Sequence, residues 1–145
     1  MVIFRDSWTD KENRISTAAV DYRGLRFMGA AHCHPDDEWS YFFGCSLAET
    51  RATIEAAKYE LELCREDYKN CKNFVRAVAG YKNFDPSSPS AKAMYRQLNR
   101  KKQAVERAKK RVKVLKESVV VQQENREKFK KVIDKLKMDK SNKSN

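Results

Sequence analysis

The sequence predicts an α+β fold, with a small N-terminal antiparallel β-meander followed by two long helices that pair as an antiparallel coiled coil. Three observations carry this expectation. Residues 2–33 alternate apolar and polar side chains between turn signals, residues from 46 onward switch to a three-and-four apolar spacing, and only four Gly and three Pro punctuate 145 residues.

In the first region Val2, Phe4 and Trp8 alternate with polar residues, and Asp10 to Asn13 reads as a turn. Arg14 to Tyr22 forms the second strand through Ile15, Thr17, Ala18 and Val20. Arg23 and Gly24 then turn the chain into a third strand, Leu25 to Cys33. A sheet this small cannot stand alone and needs a helix against one face.

The first helix is expected to start at Ser46, where Ser46 and Glu49 have capping-box spacing directly after Gly44. Ile54, Ala57, Leu61, Cys64, Tyr68, Cys71, Val75 and Val78 repeat on one face until Gly80, about 50 Å of helix. Ser88 can cap a second helix, with Pro89 at its first position. From there Leu98, Val105, Ala108, Val112, Leu115, Val119, Phe129, Ile133 and Leu136 keep a seam that only Lys101, Gln122 and Arg126 interrupt with polar groups. This second helix, to about Met138, would be roughly 75 Å long. The short linker folds the two into a hairpin that pairs Val78 near Ala91 and Ser46 near Gln123. Residues 124–138 then overhang, so Phe129, Ile133 and Leu136 must meet the sheet or another copy of the chain. A homodimer or higher homo-oligomer is expected. The expected boundaries are 1–45 for the sheet, 46–138 for the hairpin and 139–145 for a disordered polar tail, all in a single domain.

The formal charge of +11 is concentrated in one part of the chain. Residues 1–45 carry five basic and seven acidic groups, 46–80 carry six of each, and 81–145 carry twenty basic against seven acidic. Between Lys92 and Lys116 lie eleven Lys or Arg and one acid, Glu106. Such a stretch repels itself unless an anion or acidic partner lies against it, which points to a polyanion; a solvated coiled-coil surface has a similar composition. No apolar run is long enough for a membrane span and the N-terminus lacks a signal-peptide pattern, so a cytoplasmic location and no membrane partner are expected. The four cysteines lack framework spacing and read as reduced.

His32, Cys33 and His34, followed by Asp36 and Asp37, have the residue types of a metal site but not the spacing. Neighbours at a strand end point to opposite faces, and no second ligand pair follows. Pro35, Asp36 and Asp37 read instead as a turn whose carboxylates face a basic neighbour, with Arg126 in register to serve. No phosphate loop, nucleophile elbow or metalloprotease motif is present, and Asp36, Asp37 and Glu38 sit together as adjacent acids on a turn. No catalytic residue, metal or cofactor is assigned. Aromatic residues interleaved with bases are more telling. Tyr81 and Phe84 flank the hairpin tip, and Tyr95, Arg96, Asn99 and Arg100 open the next helix. Rings beside Arg and Asn can stack a base and neutralise its phosphates, and the same rings can simply plug the end of a coiled coil.

The run Ala31, His32, Cys33, His34, Pro35, Asp36, Asp37, then Gly44, Leu47, Ala48, Arg51, Ala52, is similar to a pattern in small proteins of phages of Gram-positive bacteria. There a strand ends in Cys-x-Pro-x-Asp and a helix opens with Leu-Ala-x-x-Arg-Ala. With a small sheet and two long helices, the chain resembles the Thoeris anti-defence sponge proteins of phages. That resemblance implies a non-catalytic protein of the host cytoplasm that binds and sequesters glycocyclic ADP-ribose, a cyclic ADP-ribose isomer, as a dimer or higher oligomer. It also implies pockets between sheet and helices, and in some members a separate site for cyclic oligonucleotides. The residue assignments rest on chemistry. Tyr81 or Phe84 would stack adenine, Arg96, Asn99 and Arg100 would take ribose and pyrophosphate, and Arg107 or Arg111 would meet remaining phosphate charge. Arg23 and Arg26 are further candidates on the sheet. The alternative is a basic coiled-coil nucleic-acid-binding protein using the Lys92 to Lys116 face, and a protein-targeting adaptor is a third possibility.

Overall fold

The computed structural model describes residues 1–34 and 40–144. Three antiparallel strands, β1 (Ile3–Asp10), β2 (Ile15–Tyr22) and β3 (Leu25–His32), form a sheet of order β1-β2-β3. Two helices follow, α1 (Tyr41–Ala79) and α2 (Pro89–Lys143). The fold is the expected α+β meander and helical pair. The expected turn at Pro35, Asp36 and Asp37, its pairing with Arg126, and Glu38 lie outside the described residues.

The hairpin turns follow from local chemistry. Arg23 and Gly24 both take positive φ, 52° and 76°, as a two-residue turn with the twist of its strands requires. At the β1–β2 turn, Asp10 accepts hydrogen bonds from the Asn13 backbone N–H at 3.1 Å and from its Nδ2 at 2.6 Å, and Arg14 closes the turn at φ 57°. Arg14 thus belongs to the turn, and β2 starts one residue later than the alternation predicts. Arg5 is the extra residue of a bulge in β1.

The described residues divide into two compact units, one of Met1–Glu55 with Val114–Asn145 and one of Ala56–Lys113. In the first, one face of β2 carries Ser16, Ala18, Val20 and Tyr22, all buried. Ala18 and Ala31 pack on Ala48 of α1, flanked by Leu47. Gly29 makes this approach possible, because a Cβ there would lie 2.3 Å from the Ala48 carbonyl oxygen and the Ala52 backbone nitrogen. Arg51 donates to the Ala30 carbonyl at 2.7 Å and ties α1 to β3.

Here one expectation is corrected. The first helix starts at Tyr41, so Ser46 and Glu49 are inside it and form no capping box. Ser40 caps instead, its Oγ accepting from the Phe43 N–H at 3.3 Å and its carbonyl from the Gly44 N–H at 3.0 Å. Gly44 marks close packing rather than a boundary, since a Cβ there would lie 2.2 Å from Ser16 Oγ. The expected tail also differs, for α2 continues through Asp139, Lys140, Ser141 and Asn142 to Lys143.

The hairpin register holds where side chains cross it. Gln122 Nε2 donates to Thr50 Oγ1 at 2.9 Å in the first unit. Phe129 meets Phe43 of α1 at 6.3 Å between ring centroids, yet remains 54% exposed, with Val132, Leu136 and Met138 exposed beyond it. The sheet therefore does not bury the end of the seam. In the second unit Ala56, Ala57, Leu61 and Val75 of α1 and Ala91, Val105, Ala108 and Val112 of α2 are the buried seam.

Candidate functional site

The tip of the hairpin is a chain of short turns. The Gly80 N–H reaches the Arg76 carbonyl at 3.2 Å and ends α1, and the Tyr81 and Phe84 amides bond the Val78 and Tyr81 carbonyls at 3.2 and 3.1 Å. Asp85 Oδ1 accepts from Ser87 Oγ at 2.7 Å and from its N–H at 2.9 Å. The Ser87 hydroxyl bond, then the N–H bond, hold the Asp85 carboxyl below the usual carboxylate range. Ser88 Oγ accepts from the Ala91 N–H at 3.2 Å and caps α2 as the sequence predicts.

These turns frame a cavity of about 520 Å³ whose walls include Phe74, Val78, Tyr81, Phe84 and Met94. Asn83, Asp85, Ser88 and Ser90 supply its polar groups. Tyr95 meets the Phe84 ring edge-on at 6.5 Å and steadies it from outside. A second cavity of about 340 Å³ shares Phe74 and Met94 with the first and is completed by Asp67, Cys71, Gln97 and Lys101. The two adjoin at Phe74 and Met94 and make an open trough, apolar at the hairpin tip and polar where Asp67, Gln97 and Lys101 line it, with volumes in the range of small-molecule sites. Lys101 Nζ lies 2.5 Å from Asp67 Oδ2.

Two of the sequence-predicted residues, Tyr81 and Phe84, thus share a cavity. Arg96, Asn99, Arg100 and Arg107 do not line it. With Lys92 and Lys110 they make an exposed stripe about 27 Å long, diametrically opposite the buried seam. Arg111 is engaged by Glu60 at 3.2 Å. Arg23 and Arg26 belong to the other unit, Arg23 over the Tyr22 ring at 5.6 Å and Arg26 on Asp21 at 3.2 Å. Asp21 is also held by Arg5, whose hydrogen bond is the main reason its carboxyl lies below the usual range. Sequence reasoning missed Phe74, Gln97, Asp67 and Lys101. The available signals were a bulky aromatic one residue off the seam at Phe74 and a charge on it at Lys101.

In the first unit, Arg14 and Arg126 each direct a guanidinium nitrogen at Cys33 Sγ, at 3.4 and 3.5 Å. Arg126 also lies 5.9 Å from the Phe43 ring centroid. Burial pushes the Cys33 thiol up, but the hydrogen bonds and charges of the two arginines outweigh it and hold it below its ordinary value. None of the four cysteines is in a disulfide. Among the described residues no group of three or more His, Cys, Asp or Glu is placed to hold a metal ion, and no helix is long and apolar enough to cross a membrane.

No protein family, curated protein or solved structure matches this chain.

Proposed function

We propose that the chain binds and sequesters a cyclic nucleotide signal of the cyclic ADP-ribose class, leaving it intact, and so acts as a phage anti-defence sponge. The observation that carries this reading is the trough at the hairpin tip, where the aromatic side chains of Phe74, Tyr81 and Phe84 line the wall beside the polar groups of Asn83, Ser88 and Ser90, residue types that suit a base and a sugar. The resemblance to the Thoeris sponge proteins supports the same class of ligand. Removal by mass action needs a dissociation constant below the working concentration of the signal, and protein in molar excess. Self-association accompanies this function, through the apolar residues that α2 leaves exposed at Phe129, Val132 and Leu136. The test is to incubate the protein with cyclic ADP-ribose, heat it and examine the released ligand by mass spectrometry. Unmodified ligand recovered in stoichiometric amount supports the reading, and a hydrolysed product contradicts it.

The stripe of Lys92, Arg96, Arg100, Arg107 and Lys110 favours a second reading, nucleic-acid binding. Its cations run in a line and converge on no cavity, which suits a polymer of phosphates. This reading predicts affinity for DNA or RNA that falls steeply with salt, with a log-log slope of roughly −0.9 per phosphate contacted on duplex DNA.

A further inference from the structure

The trough at the hairpin tip has a polarity that its apolar walls conceal. At one end stands Asp85, kept charged by the hydroxyl and N–H of Ser87. At the other stands Lys101, the only cation among the described residues lining either cavity. A ligand that carries a base at one end and phosphate at the other fits this trough in one direction. Phosphate at the tip would face the Asp85 carboxylate, whereas a base there meets Tyr81 and Phe84 and offers its exocyclic amine to that carboxylate.

Lys101 occupies a seam position, where an apolar side chain would pack against α1 and a lysine lowers stability. It is held there by Asp67 at 2.5 Å, with the lysine side chain 33% exposed and the aspartate 55%. The hydrogen bond that Lys101 donates to Asp67, and then the Asp67 charge, raise the Lys101 pKa. Gln97, one turn before Lys101, lines the same cavity and adds an amide donor. An aspartate on a partly buried lysine presents the same acceptor oxygens that a phosphate would present.

We infer that Lys101 is the phosphate-binding residue of this trough and that Asp67 is its internal counter-ion, displaced when the phosphate of a nucleotide ligand arrives. The inference rests on the nucleotide-binding reading above and adds the direction of the ligand and the residue that recognises its charge. On binding, the Lys101 ammonium exchanges one oxygen anion for another, and the exposed Asp67 carboxylate turns into water. Asp67 therefore competes with the ligand, and removing its charge strengthens binding while removing Lys101 weakens it.

The test uses isothermal titration of ADP-ribose and of adenosine into the full-length chain and three variants. Lys101→Met places an apolar side chain of similar length on the seam, so the hairpin keeps its fold, which thermal melting confirms. It is expected to weaken ADP-ribose by about tenfold or more and to leave adenosine within about twofold. Asp67→Asn is expected to tighten ADP-ribose severalfold. Lys102→Met, which removes an equal charge from an exposed neighbour, leaves both affinities within about twofold, separating direct contact from the general field. If the parent chain binds ADP-ribose and Lys101→Met leaves that affinity unchanged, or Asp67→Asn weakens it, the assignment of Lys101 and Asp67 is overturned while the nucleotide reading stands. If the parent chain binds neither compound, the assignment of Lys101 is overturned, and titration of cyclic ADP-ribose decides the nucleotide reading separately.

Discussion

At the scale of single residues, two glycines decide how closely α1 lies on the sheet. Gly29→Ala would put a Cβ 2.3 Å from backbone atoms of Ala48 and Ala52, which cannot swing aside as a side chain can. We expect this substitution to destabilise the protein by about 3 kcal/mol, at the upper end of overpacking effects, read as a lowered Tm in a thermal melt. Gly44→Ala meets the Ser16 side chain, its hydroxyl at 2.2 Å and its Cβ at 3.0 Å, and no backbone atom, and it gains about 1 kcal/mol of helix propensity, so its net loss should be smaller. Equal losses at the two sites would contradict the close approach at Gly29. Cys33 gives a pH-dependent test. Its thiol lies below the ordinary value in the folded chain, so its ionisation stabilises the fold above the unfolded thiol's pKa, and that gain is lost as pH falls through the folded value. The Tm difference between the parent chain and Cys33→Ser should therefore widen in favour of the parent from about pH 7 to about pH 9.5. Arg126→Gln should slow alkylation of Cys33 at neutral pH.

At the scale of elements, most of the fold was legible because the signals were local. Ser88 and Pro89 start α2 where cap chemistry places them, and Arg23 with Gly24 makes the turn that a two-residue hairpin needs. Ser88→Ala should lower stability by about 1 kcal/mol through loss of that cap, and Ser88→Asp should restore it. The start of α1 was not legible. Ser46 with Glu49 has capping-box spacing, but a cap works only where the helix begins, and Ser40 stands six residues earlier with its own oxygen on the Phe43 N–H. Gly44 misled for a related reason, because sequence alone does not separate a glycine that precedes a helix from one that lets a helix touch a strand. At the tip, Tyr81 and Phe84 were singled out because rings interleaved with basic residues can stack a nucleotide base, and both line the cavity there. Lys101 was read only as an interruption of the seam, since its partner Asp67 and the cavity beside it exist only once the two helices are paired.

At the scale of the whole molecule, the excess positive charge and the proposed nucleotide site make separable predictions. The exposed cations of α2 act through solvent and are screened, so affinity for a nucleic acid should collapse with added salt. Binding in the trough depends on ring contacts and one partly buried cation and should change little over the same range. The exposed apolar residues at the end of α2 make a third prediction. Leu136→Lys together with Phe129→Lys should shift the protein toward monomer in analytical ultracentrifugation, and an unchanged mass would remove this end of α2 from any self-association. The most direct test of the central claim is calorimetric titration of cyclic ADP-ribose into the parent chain and into a Tyr81→Ala, Phe84→Ala double variant. The predicted result is saturable binding to the parent chain that weakens by about tenfold or more in the variant. Parent and variant binding with equal affinity, or no binding to the parent chain, would contradict the claim that this trough holds a nucleotide.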